Sequence, residues 1–79
     1  MVDAPYTVKV APLAAKQWLN LSAKFQRKLT QFFESLQVNP RPSGVQKIEG
    51  MVGLYSQVVG HFRVVYKVLE QEIMVLIIK

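Results

Sequence analysis

The chain has 79 residues, with ten Lys or Arg against five Asp or Glu, a formal charge of +5, one His and no Cys. That describes one small domain whose core supplies little stability alone and has no disulfide to staple it. No apolar run approaches the ~20 residues that span a bilayer, and no secretory signal opens the chain.

The absence of cysteine suits a reducing cytosol, so a cytoplasmic location is expected. The basic surplus favours a polyanion or an acidic protein as partner. The plainer alternative is a domain that merely happens to be basic.

Tyr6, Val8 and Val10 alternate with Thr7 and Lys9, the period of a first strand. Pro12 suits a helical first turn, where its missing N–H costs nothing. A short helix over 13–19 follows, with Ala14 and Trp18 stacked four apart. Asn20-Leu21-Ser22 interrupts it, and Ser22 is a candidate N-cap for the next helix. In that helix Phe25, Leu29, Phe32, Phe33 and Leu36 recur at i, i+4, i+7, i+8 and i+11, one apolar stripe that packs against a core. Lys24, Arg27, Lys28 and Gln31 lie off the stripe. The helix must end before Asn39-Pro40, because the residue before proline is pushed out of the α region. Asn39-Pro40-Arg41-Pro42-Ser43-Gly44 is then a connector.

The remainder reads as four strands, over 45–49, 54–59, 62–69 and 72–79, separated by Gly50, Gly53, Gly60 and Glu70-Gln71. Phe62, Val64, Tyr66 and Val68 share one face, and Arg63, Val65 and Lys67 the other. The last strand is apolar on both faces, with Ile73, Val75 and Ile77 opposed to Met74, Leu76 and Ile78. Such a strand belongs near the middle of a sheet with something covering each side. The fold class is α+β: two N-terminal helices packed on one face of a mostly antiparallel sheet. Residues 1–79 form one domain.

The other sheet face needs a use. A two-residue turn at Gly60-His61 sets Val59 opposite Phe62, Gln57 opposite Val64 and Tyr55 opposite Tyr66. Val58 then faces Arg63 and Ser56 faces Val65 on the second side, which also carries Lys67. Arg63 is a cation on a rigid strand beside the turn that holds His61, and Lys47 is expected to join it from the neighbouring strand. This face either grips a phosphodiester backbone or is simply solvated. His61 is a surface residue or a proton-transfer group, since its ordinary pKa suits either charge state near neutrality. There is no phosphate loop, no serine elbow and no His or Cys cluster spaced for metal, so no cofactor and no metal site are expected. An enzyme built from these residues is limited to reactions in which cations stabilise developing negative charge, such as RNA cleavage through its own 2′-hydroxyl.

Several stretches carry a resemblance. They are Phe33-Glu34-Ser35-Leu36, the connector from Asn39 to Gly44, Lys47-Ile48-Glu49-Gly50, the run from Leu54 to Tyr66, and Ile73 to Lys79. In order, the chain resembles the RelE/ParE superfamily of bacterial toxins: a helix, an NPRP-G segment, a K-L-x-G turn, a Y-R-I-R-x-G-D-Y-R-V-I-Y hairpin and a closing apolar strand. The resemblance implies a type II toxin, bound by a cognate acidic antitoxin that wraps it with a helical segment. In the RelE branch it implies metal-independent cleavage of mRNA in the ribosomal A site, and in the ParE branch inhibition of DNA gyrase. The RelE branch is favoured here, with ribosome and mRNA as partners and no membrane.

Carried over by position, Arg63 matches the hairpin arginine that stabilises the scissile phosphate, and Lys47 matches the lysine of the turn, an RNA contact. Arg41 and Lys67 complete the expected RNA-binding set, and His61 is the second candidate catalytic residue. Two departures weaken the expected nuclease. Ser56 and Val58 stand where the family carries basic residues, and the family's closing V-G-H-R-R-x-V-Y-like tail is not found after Lys79. A non-catalytic remnant that only binds antitoxin is the third reading.

Overall fold

The computed structural model describes residues 6–79. Strand β1 (Thr7–Val10) leads into helix α1 (Pro12–Leu19) and helix α2 (Ala23–Val38). Four strands follow: β2 (Gln46–Lys47), β3 (Leu54–Val59), β4 (Phe62–Val68) and β5 (Glu72–Ile78). They form one sheet in the order β1-β5-β4-β3-β2, with β1 parallel to β5 and every other pair antiparallel. No helix among the described residues is long and apolar enough to cross a membrane.

Pro12 opens α1 as expected, behind an extended Ala11. Ser22 does occupy the N-cap position of α2 with extended backbone, but its hydroxyl makes no capping bond. The helix junction is tied instead by the Gln26 side-chain amide, which donates to the Trp18 carbonyl at 2.9 Å. At the far end, Asn39 has extended backbone ahead of Pro40, and its side chain accepts the Arg41 N–H at 3.2 Å, a local turn that stops the helix.

The core lies between the helices and one sheet face. Ala14, Leu29 and Leu36 meet Val64, Tyr66, Ile73, Val75 and Ile78, all buried. Burying each full-sized apolar side chain contributes roughly 1.5–3 kcal/mol. The aromatic stripe of α2 closes the layer: Phe25 meets Phe62 edge-on at 5.1 Å, Phe32 meets Tyr66 at 6.1 Å, and Phe33 lies 5.9 Å from Trp18.

Two expectations change in the sheet. Only Gln46 and Lys47 of the stretch 45–49 pair as a strand. The Val45 N–H is drawn to the Pro42 carbonyl, and positive φ at Gly50 turns the chain away after Glu49. In β5, Tyr66 pairs with Val75 but Val65 pairs with Ile77, so Leu76 is an extra, bulged residue. The bulge reverses the alternation beyond it. Ile78, not Ile77, joins Ile73 and Val75 in the core. The other apolar side of β5, with Met74, Leu76 and Ile77, stays only half-buried, because both helices lie on the opposite face.

Candidate nucleic-acid interface

The hairpin register is the one the sequence implies: Val59 opposite Phe62, Gln57 opposite Val64, Tyr55 opposite Tyr66, Val58 opposite Arg63 and Ser56 opposite Val65. Gly60 takes the left-handed backbone of the turn at φ 62°. Val64 and Tyr66 point under the helices, so Arg63 and Lys67 point away from them, and both are exposed.

Arg63 reaches sideways across the sheet. Its Nη1 lies 3.4 Å from Ser56 Oγ on β3, a long hydrogen bond. Ser56 is 6% exposed although it sits on the open face, between Gln46 of β2 and Val65 of β4. A serine thus serves as a footing for the guanidinium where a lysine would repel it, a role that residue type alone did not suggest. Lys67 is four residues along the strand, roughly 13 Å away at the usual rise per residue. His61 is exposed in the turn and has no side-chain partner among the described residues. A further cation approaches that turn: a Cβ on Gly60 would lie 3.4 Å from Lys28 Nζ of α2. Nothing in the sequence signals this, since Lys28 simply lies off the apolar stripe.

Lys47 does not join Arg63. It pairs with Tyr55, so it projects on the helix side of the sheet, and the two-residue strand that carries it is an edge. Arg41 is on that side too. Its Nε donates to the Tyr55 hydroxyl at 2.9 Å and its guanidinium carbon lies 5.5 Å from the Tyr55 ring centre. The Tyr55 hydrogen bond raises the Arg41 pKa further above its already high value. Tyr55 stacks on Tyr66 at 5.9 Å, and the buried Tyr66 hydroxyl donates to the Pro40 carbonyl at 2.8 Å. Burial, with Tyr55 adding to it, pushes the Tyr66 pKa up to about 12. The expected set is therefore split by the sheet: Arg63 and Lys67 on the open face, His61 at its end, and Arg41 with Lys47 around Tyr55 behind.

Chemically, the open face offers a permanently charged, planar donor on a rigid strand, suited to one phosphate or one carboxylate. Among the described residues no three of His, Cys, Asp and Glu come together as metal ligands.

Comparison with known proteins adds the family. The model of the ParE toxin of the type II toxin–antitoxin system parDE matches residues 8–79. The chain belongs to this toxin family. Its fold is similar to that of the archaeal RelE–RelB complex from Pyrococcus horikoshii: TM-score 0.85, 29% identity, 95% of this chain and 93% of that one. The intact Escherichia coli RelBE toxin–antitoxin complex is similar at TM-score 0.81 and 22% identity, over 92% of this chain and 93% of that one. The YoeB dimer from Staphylococcus aureus follows at TM-score 0.77 and 22% identity, with the same two coverages. No curated sequence matches the chain. In this ParE-family toxin the two-helix layer and the five-stranded sheet are thus those of the RelE/ParE superfamily, and Arg63 stands on the face the helices leave bare.

Proposed function

We propose that this toxin is a metal-independent endoribonuclease that cleaves translated mRNA on the ribosome, with Arg63 stabilising the charge that develops on the scissile phosphate. The observation that supports this reading is the Arg63 guanidinium, held against Ser56 on the uncovered face of a rigid hairpin. In the reaction the RNA 2′-oxygen attacks the adjacent phosphorus and the bond to the 5′-oxygen breaks. His61, beside the same strand, accepts the 2′-hydroxyl proton and returns it to the departing 5′-oxygen, leaving a 2′,3′-cyclic phosphate and a 5′-hydroxyl. Lys67 guides RNA along the open face, while Arg41 and Lys47 contact backbone that passes round the β2 edge. A cognate acidic antitoxin neutralises the +5 domain. Mapping mRNA 5′ ends on translating ribosomes tests the proposal. Cleavage should appear with the wild type and fall on the order of 10²–10³-fold in Arg63→Ala. Absence of cleavage counts against it.

A second reading is inhibition of DNA gyrase. It is supported by the ParE family match and by Ser56 and Val58, which leave β3 without a cation on the open face. Loss of supercoiling activity at stoichiometric toxin, with mRNA intact, would select it. If neither target is affected, the chain is an antitoxin-binding remnant.

A further inference from the structure

We infer that Lys79 is a second phosphate-gripping cation, paired with Arg63 across strands β4 and β5; this rests on the reading of the open face as an RNA-binding surface. The Arg63 N–H donates to the Lys79 carbonyl at 2.7 Å and the Lys79 N–H to the Arg63 carbonyl at 3.0 Å. Residues that exchange both bonds sit directly opposite, their Cα atoms about 5.5 Å apart, and project on one face. The preceding pair, Val64 and Ile78, is buried at 0% and 3% exposure, so the next residues must point to the other side.

The bulge is what makes this pairing. In the register that runs from Val68–Ile73 to Tyr66–Val75, Arg63 would face Ile78, and Lys79 would fall opposite Phe62 on the helix side. The extra residue at Leu76 moves Lys79 by one place onto the open face, a re-aiming that bulges commonly perform near functional sites.

Energetics point the same way. Like charges directly opposite on neighbouring strands destabilise a sheet. The ion pair between Lys9 and Glu72 is the only one among the described residues, so neither the Arg63 nor the Lys79 side chain is paired with a side-chain carboxylate. A bound phosphodiester would relieve both. On the other flank of Arg63, β3 supplies a hydroxyl and Val58 but no cation. Lys79 therefore completes from β5 a grip that β3 leaves half-made, close enough to Arg63 for both to address one phosphate.

Anisotropy titrations of a labelled single-stranded oligoribonucleotide over a salt series test this on the 79-residue chain. For Lys79→Gln the affinity at low salt should fall roughly tenfold. The slope of log affinity against log salt should shrink by about 0.7, one phosphate contact on a single strand. The melting temperature of the free protein should hold or rise, and Lys79→Arg should restore binding. Lys16→Gln, on the exposed side of α1, should change neither slope nor affinity. The inference is overturned if Lys79→Gln binds like wild type while Arg63→Gln does not, if the Lys16 variant loses as much as the Lys79 variant, or if Lys79→Gln loses binding and melting temperature together. Wild-type protein that binds no RNA, or binds it independently of Arg63, overturns the RNA reading itself and this inference with it.

Discussion

Tyr66 shows how much one side chain holds. Its ring is fully buried between Phe32 and Tyr55, and its hydroxyl satisfies the carbonyl of Pro40, so it ties the central strand to the connector after α2. Tyr66→Phe leaves a buried carbonyl without a donor and should cost about 1–3 kcal/mol, read as a lower urea midpoint at unchanged slope. The native pKa of about 12 lies above the ordinary value of 10, so the native state favours the protonated phenol. That stability is fully present below pH 10 and is lost as pH rises through about 12. Absorbance at 295 nm should show a late tyrosine ionisation coinciding with unfolding, and Tyr66→Phe should abolish that step. The position of Tyr66 on the core face opposite Tyr55 was readable from alternation. The Pro40 carbonyl was not, because the contact joins residues 26 apart through a loop whose path no local pattern encodes.

At the scale of elements, α2 and β5 teach opposite lessons. The α2 stripe was legible because helical periodicity is local, and its buried members Leu29 and Leu36 are the ones the pattern names. Leu29→Ala should destabilise by about 2–5 kcal/mol in denaturant melts, as a cavity opens over the sheet. Beyond Leu76 the phase of β5 is the reverse of what unbroken alternation predicts. An uninterrupted apolar run carries no mark of where an extra residue sits, and the bulge is settled by pairing with β4. Past the bulge, the Ile78 N–H is satisfied by Gln17 Oε1 of α1 at 2.7 Å, so helix and strand end are locked together. Gln17→Ala should cost about 1–3 kcal/mol. Faster amide exchange at Ile78 in that variant would locate the loss, and unchanged exchange there would contradict it.

For the whole molecule, the decisive asymmetry is a sheet covered on one side. A domain of this size, carrying +5 and leaving Met74, Leu76 and Ile77 half-exposed on the bare face, gains stability from whatever occupies that face. Saturating acidic antitoxin should raise the melting temperature, by an amount equivalent to about 2.7 kcal/mol at a hundredfold excess over Kd. A melting temperature that does not move would contradict the partner proposed for this chain.

Element order, the α+β class, the hairpin register and the outward aim of Arg63 were all determined by the sequence alone. Each depends on residues close together in the chain: a turn glycine, a two-residue period, a helical stripe. Tertiary structure alone decided that Lys47 falls behind the sheet, that Ser56 carries Arg63, and that Lys79 comes to stand beside it. Those placements depend on register between strands and on one bulged residue, and a shift of a single position in register moves a side chain from one face of a sheet to the other.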